Sequence, residues 1–309
     1  YQVPAGIWRA LIEAARSQDP EVLFFAETLG CTPEQVEDLA DAGFDYIFNS
    51  AKWWDFRADW FIDQQERFRA IAPSIAFPES HDTARLAAEL GTDDPRIRTA
   101  ALRQRTLFSA VISSGVMIPS GFEYGFTRPL NVVTTRPEEW AQQAAQPAID
   151  LTGLIAAANA LRADLPALNG EGPLRRLTGP GDGVLALLRG DTAGEEAVLI
   201  LLNPDERRSQ GIDPAYLLAA GHGMAFRDVT PGKAPLDLAP DAPLLLEPLD
   251  IRIFHGRAAR ANTIPDPADS LDRLLSLAGS RVAIEDVYPA IDGGRFAVKR
   301  VVGDVLEVW

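Results

Sequence analysis

Two short stretches of this sequence combine residue types that could do acid–base chemistry. In Glu21–Gly30, five apolar residues from Val22 to Ala26 end on a carboxylate, Glu27. The run is too short for a buried helix and is bounded by Asp19-Pro20 and Gly30, so a strand covered on both faces is expected. Parallel α/β folds carry their chemistry at the C-terminal ends of strands, which makes Glu27 a candidate catalyst; capping a helix or pairing with an arginine is the competing role. The second stretch, Ser74–Asp82, runs from apolar Ile75–Phe77 into Pro78-Glu79-Ser80-His81-Asp82. The chain has 3 histidines, and one of them beside an aspartate at a strand end is informative, although a turn or helix cap would use the same pair.

The elements that must hold these residues alternate. A helix beginning at Pro4, with Ile7, Leu11, Ile12 and Ala15 on one face, leads into the Val22 strand. Asp45–Phe48 reads as a second strand ending at Asn49, Asp55–Ala70 as a helix, and Ile75–Phe77 as a third strand. A helix after Pro95 carries Ile97, Ala101, Phe108, Val111 and Ile112 in one stripe and ends at Gly115. Val116–Pro119 is the fourth strand, followed by Ser120–Tyr124 and a helical region from Pro137 to Leu165, broken near Pro147. This alternation means parallel βαβ units. Four strands are half of what a closed (β/α)8 barrel needs.

The strand ending on Glu27 and the strand ending on His81-Asp82 together resemble the α-amylase family, glycoside hydrolase family 13. In that family the fifth barrel strand ends in the general-acid Glu and the seventh in a His-Asp pair. The resemblance implies the C-terminal half of a (β/α)8 barrel over residues 1–167, strands five to eight, with Gly115–Glu123 similar to the text around the eighth strand. It implies Glu27 as general acid/base, Asp82 as transition-state stabiliser and His81 as a substrate-binding residue; strand-end position adds Asn49 and Glu123 at the rim of the same cleft, and Trp53 is a further substrate-binding candidate. Tyr1-Gln-Val-Pro4 looks like the text just after the family's nucleophilic aspartate, so that nucleophile is expected before residue 1 and this piece alone is expected to be inactive. Of the aromatic cluster Trp53, Trp54, Phe56 and Trp60, core roles suit Phe56 and Trp60, while Trp53 is open between core and sugar stacking. Lys52 is expected to face solvent.

After Leu168 the text changes to short apolar or alternating segments, Val184–Leu188, Ala197–Leu202, Ala225–Val229 and Leu244–Phe254, separated by Gly, Pro and Asp turns. An antiparallel β-sandwich domain over 168–257 is expected, similar to the one that follows family 13 barrels, with a short helix over Asp213–Ala220. His222 and His255 are read as surface or edge residues. A linker with a short helix spans 258–280. Residues 281–309 alternate like strands and resemble the start of the N-terminal β-domain of the α-1,4-glucan:maltose-1-phosphate maltosyltransferases. Those maltosyltransferases generally lack the seventh-strand histidine, whereas His81 is present, which favours a hydrolase or glucan transferase for the first part.

Composition limits the partners. Lys plus Arg number 29 against 44 Asp plus Glu, a net charge of −15, which argues against nucleic acid and anionic membrane surfaces and suits a neutral polyol. No run of 18 apolar residues is present, so no membrane span is expected. The single cysteine, Cys31, excludes an internal disulfide and fits a cytoplasmic location. No cofactor and no metal are expected. The implied partner is an α-1,4-glucan or maltooligosaccharide, with maltose 1-phosphate as a further candidate. The implied function is a piece of an α-glucan-active retaining glycosidase or transglycosylase, within a fused maltosyltransferase polypeptide. The alternative is a non-catalytic glucan-binding or spacer module.

Overall fold

The computed structural model describes residues 3–129, 131, 133–145, 147, 149–190, 196–221 and 224–257, together with short backbone segments between 283 and 302. The chain forms two compact units, 1–258 and 259–309.

The first unit opens with helix α1 (Ala5–Arg16). Strands β1 (Phe25–Ala26), β2 (Tyr46–Phe48), β3 (Ser74–Ala76) and β4 (Gly115–Val116) form a parallel sheet in consecutive order. Between them lie α2 (Pro33–Glu37), α3 (Trp60–Phe68), α4 (Leu86–Glu89) and α5 (Pro95–Ile112). Thr32 and Gln35 close a reciprocal capping box on α2, and the Asp94 carboxylate accepts the Arg96 N–H at the start of α5. The expected break near Pro147 separates α6 (Pro137–Ala144) from α7 (Thr152–Asp164).

Two expectations fail at the first strand. The ladder is only two residues long and Phe25 is 50% exposed, so the strand is not covered on both faces. The reason is its position at the end of the sheet, with β2 on one side and no strand on the other among the described residues. Likewise α1 buries Ile12 against the Gly43 turn but leaves Ile7 and Leu11 more than half exposed. One apolar stripe in the sequence was in fact two helix faces, only one of which has a neighbour.

The sheet's pleat sorts side chains. Ala26 and Ile47 join Val36 and Phe68 in a core beneath the helices, while Phe25 and Tyr46 stack on the opposite face with centroids 5.5 Å apart. Glu27 follows Phe25 by two residues and shares its face.

Beyond residue 168 a five-stranded antiparallel sheet has the order β5 (Leu174–Arg176), β6 (Leu185–Gly190), β7 (Glu196–Leu202), β11 (Ile251–Arg257), β9 (Ala225–Asp228). A two-stranded ladder pairs β8 (Gln210–Ile212) with β10 (Leu244–Leu246), and α8 (Pro214–Ala220) begins where Asp213 caps it. The stretch read as one segment from Leu244 to Phe254 is two strands, because Leu249 turns the chain with φ 55°.

Alternation along β6 and β7 puts Leu187, Val198 and Ile200 into a core shared with Trp54, Phe61, Leu107 and Phe108, and Ala186, Leu199 and Leu201 into a second core with Leu217 and Leu246. The position expected to divide two domains at 167/168 therefore lies inside one compact unit. A buried polar hub reinforces that junction: Glu171 accepts from Gln65, Ser74 and Ser114, while Arg162 and Arg189 donate to carbonyls of Ala110 and Val111 at the end of α5. Cations there also complement the C-terminal end of the helix dipole.

In the second unit the described backbone pairs β12 (Ala283–Ile284) with β15 (Val301–Val302), and β13 (Val287–Pro289) with β14 (Phe296–Val298), both antiparallel. The linker and helix expected over 258–280 fall outside the described residues, as does His222. His255 is not an edge residue: it sits on β11 between β7 and β9, with Nε2 3.5 Å from Glu196.

Candidate active site

Parallel strands bring their C-terminal ends to one side of a sheet, and the residues that follow β1, β2, β3 and β4 meet there. A small cleft open to solvent is lined by Glu27, Leu29, Phe48, Phe77, Ser80, His81 and Met117. Each strand end contributes, so the site exists only because β1 to β4 run in parallel and in sequence order. Phe48 and Phe77 meet edge to face at 6.0 Å, and the Trp53 ring stands edge-on to Phe77 at 5.7 Å. Trp53 is 44% exposed, so its indole borders the cleft wall and still faces solvent.

Glu27 and His81 are thus brought together. Asp82 stands beside them through its neighbour, with a carboxylate oxygen 3.3 Å from His81 Nε2, and its own N–H is held by Ser80 Oγ at 3.1 Å. Glu27 is exposed rather than buried. Its exposure follows from the position of β1 at the end of the sheet order among the described residues. Among the lining residues Glu27 is the one carboxylate.

Two expected binding residues lie elsewhere. Asn49 is buried on the helix side of β2, where its amide donates to Ser113 Oγ at 2.6 Å and Ser74 Oγ at 3.2 Å and accepts the Ala51 N–H at 3.1 Å. Its hydrogen-bonding capacity is used up in the core, and it follows Phe48, which occupies the cleft face. Glu123 turns back on its own loop and accepts the Gly121 N–H at 2.8 Å. A strand-end position alone did not reveal which face each side chain takes.

Around the cleft the aromatic cluster divides. Trp54 and Phe56 are core, packed on Phe108, and Arg105 lies over the Phe56 ring at 4.1 Å. Trp60, expected in the core, is 39% exposed. Lys52, expected in solvent, is buried and paired with Glu89 at 2.9 Å. Glu79, not among the candidates from the sequence, has its carboxyl raised above the ordinary range mainly by burial, against the Leu86 N–H and the positive charges of Arg85 and Lys52, which lower it. Its position three residues before Asp82 was the available signal, since a carboxylate next to a strand end is rarely buried unless it is paired.

Among the described residues no group of His, Cys, Asp and Glu could hold a metal ion, and no helix is long and apolar enough to cross a membrane.

Residues 280–309 match the family model described as α-1,4-glucan:maltose-1-phosphate maltosyltransferase, domain N/S. An α-1,4-glucan:maltose-1-phosphate maltosyltransferase of Burkholderia pseudomallei is 35% identical over 99% of this chain, which spans 28% of that protein's length. Among solved structures, an α-amylase from Geobacillus thermoleovorans in complex with acarbose aligns with a TM-score of 0.58 at 16% identity, covering 83% of this chain and 58% of that one. AmyP in complex with maltose aligns with a TM-score of 0.60 at 14% identity, covering 84% and 63%. The chain therefore carries an α/β fold similar to that of the α-amylases, and its residues 280–309 are similar to the maltosyltransferase N/S domain.

Proposed function

We propose that residues 1–167 are the strand-five-to-eight half of a (β/α)8 barrel and that its cleft is the acid side of an α-glucan-active retaining site. Glu27 protonates the leaving glycosidic oxygen and later takes the proton from the incoming acceptor. His81 and Asp82 hydrogen-bond ring hydroxyls as the sugar flattens toward an oxocarbenium ion. The observation that supports this best is the meeting of Glu27 and His81 in one cleft with a Phe48–Phe77 wall. Trp53 offers an exposed indole face to a sugar ring.

Retaining cleavage needs a second carboxylate about 5 to 5.5 Å from the first. Glu27 has no such partner among the cleft-lining residues, so we assign the nucleophile to a part of the longer protein outside this chain. The substrate is a maltooligosaccharide or α-1,4-glucan, with maltose 1-phosphate as the donor if the whole polypeptide acts as its relative's name says. The location is cytoplasmic. The single lining carboxylate also supports a second reading, a glucan-binding module without turnover. In both readings maltotriose binds here, and calorimetry on Trp53→Ala should show affinity weakened about tenfold, the loss of one stacking surface. Unchanged binding in that variant would remove Trp53 from the site, and no binding by the parent chain would contradict both readings.

A further inference from the structure

The loop that leaves β3 is tied at its base and free at its tip. Pro78, Glu79 and Ser80 are buried, His81 and Asp82 are exposed, and Arg85 is buried again. Across the base, Arg85 Nη1 donates to Glu79 Oε1, and Glu79 Oε2 accepts the Leu86 N–H at 2.8 Å. Both side chains are shielded, 3% exposed for Arg85 and 1% for Glu79.

Arg85 also reaches the loop after β4. Its Nη2 donates to the Ser120 carbonyl at 2.7 Å and its Nε to the Arg128 carbonyl at 3.2 Å. Gly121 has φ 90°, and a Cβ there would lie 2.9 Å from Arg85 Nη2 and collide with the Phe126 ring. This close approach of backbone to guanidinium therefore requires glycine. Lys52, from the segment after β2, adds its charge to the field at Glu79. The loops after β3 and β4 are thus linked by one buried, charged hydrogen-bond network.

A buried ion pair contributes little net stability compared with apolar residues of similar volume, because desolvation offsets its attraction. Its directional bonds fix geometry instead. We infer that Arg85 and Glu79 are positioning residues that hold the His81–Asp82 tip over the cleft. The ligand rests on the glucan reading, whereas the positioning rests on geometry alone.

The test uses the 309-residue chain. Hydrogen exchange of residues 80–86 is read by mass spectrometry, and maltotriose is titrated against the methyl signal of Met117, one of 2 methionines. In Arg85→Met and Glu79→Gln, exchange across 80–86 should accelerate at least about tenfold more than exchange in β7, because local opening of the loop is eased beyond any change in global stability. The Met117 response should require about tenfold more maltotriose in both variants, a shift equal to a tenfold change in Kd. Arg85→Lys keeps the charge without the planar fork and should fall between.

Parent-like exchange at 80–86 and a parent-like maltotriose response in a folded variant would overturn the inference, as would acceleration spread equally over β7. If Arg85→Met does not fold, Glu79→Gln and Arg85→Lys decide by the same criteria. If Met117 ignores maltotriose in the parent chain while the exchange result holds, the glucan reading fails and the positioning stands.

Discussion

At the scale of single residues, two buried charges have opposite consequences. Burial raises the Glu79 carboxyl above its ordinary value of 4.5. Between that value and the folded one the native state keeps a proton that the unfolded chain has released. Its contribution to stability is fully present below pH 4.5 and is lost as pH rises through the folded value. Urea midpoints of the parent chain should fall relative to those of Glu79→Gln as pH rises from about 4 to about 8, since the amide does not titrate. A parallel pair of pH profiles would show that Glu79 does not titrate with folding. Arg189 is different. Burial pulls its pKa down to about 10, yet it remains charged at neutral pH and donates to the Val111, Leu168 and Gly170 carbonyls. Arg189→Met leaves those acceptors unpaired and should cost about 3 kcal/mol in denaturant unfolding; a loss within the error of the measurement would show the hub to be dispensable.

At the scale of elements, α1, β1 and the segment between them present Ile7, Leu11, Leu23 and Phe25, each at least half exposed. Apolar surface of this kind binds hydrophobic dyes. Leu11→Glu together with Phe25→Thr should lower dye fluorescence and leave the melting temperature within a degree or two, because surface substitutions rarely exceed about 0.5 kcal/mol. A large fall in stability would mean that these side chains are packed in solution.

The same elements show what the sequence could reveal. Four strands and their helices were legible because each apolar run was bounded by Pro, Gly or Asp and the period changed from run to helix. Face assignments were less legible. Ile7, Leu11 and Ile12 share a stripe, but only a neighbour decides which is covered. Asn49 and Phe48 are adjacent at a strand end, and the pleat sends them to opposite faces. Glu27, His81 and Trp53 were readable as candidates from type and position. Lys52 and Glu79 were not, since their burial depends on partners 37 and 6 residues away.

At the scale of the whole molecule, the parallel-sheet layer and the five-stranded sheet share one core, with Leu107 and Phe108 packed among Leu187, Val198 and Ile200. A fragment of residues 1–165 would expose that core as well as the open edge of β1, and should aggregate or bind dye more strongly than the full chain. A monomeric fragment with a cooperative melt would contradict the shared core.

The proposed chemistry depends on a nucleophile supplied outside this chain, because the proton donor and nucleophile of such a pair act as a unit and the loss of one commonly removes several orders of magnitude of rate. The most direct measurement compares turnover of maltoheptaose, and of maltose 1-phosphate with a glucan acceptor, by three proteins: the 309-residue chain, a longer protein that contains it, and that longer protein with Glu27→Gln. Activity is expected only in the unaltered longer protein, with maltotriose binding retained in Glu27→Gln because the amide keeps the shape and lacks the proton. Full activity in Glu27→Gln would show that Glu27 is not the acid, and turnover by the 309-residue chain alone would show that its nucleophile lies within it.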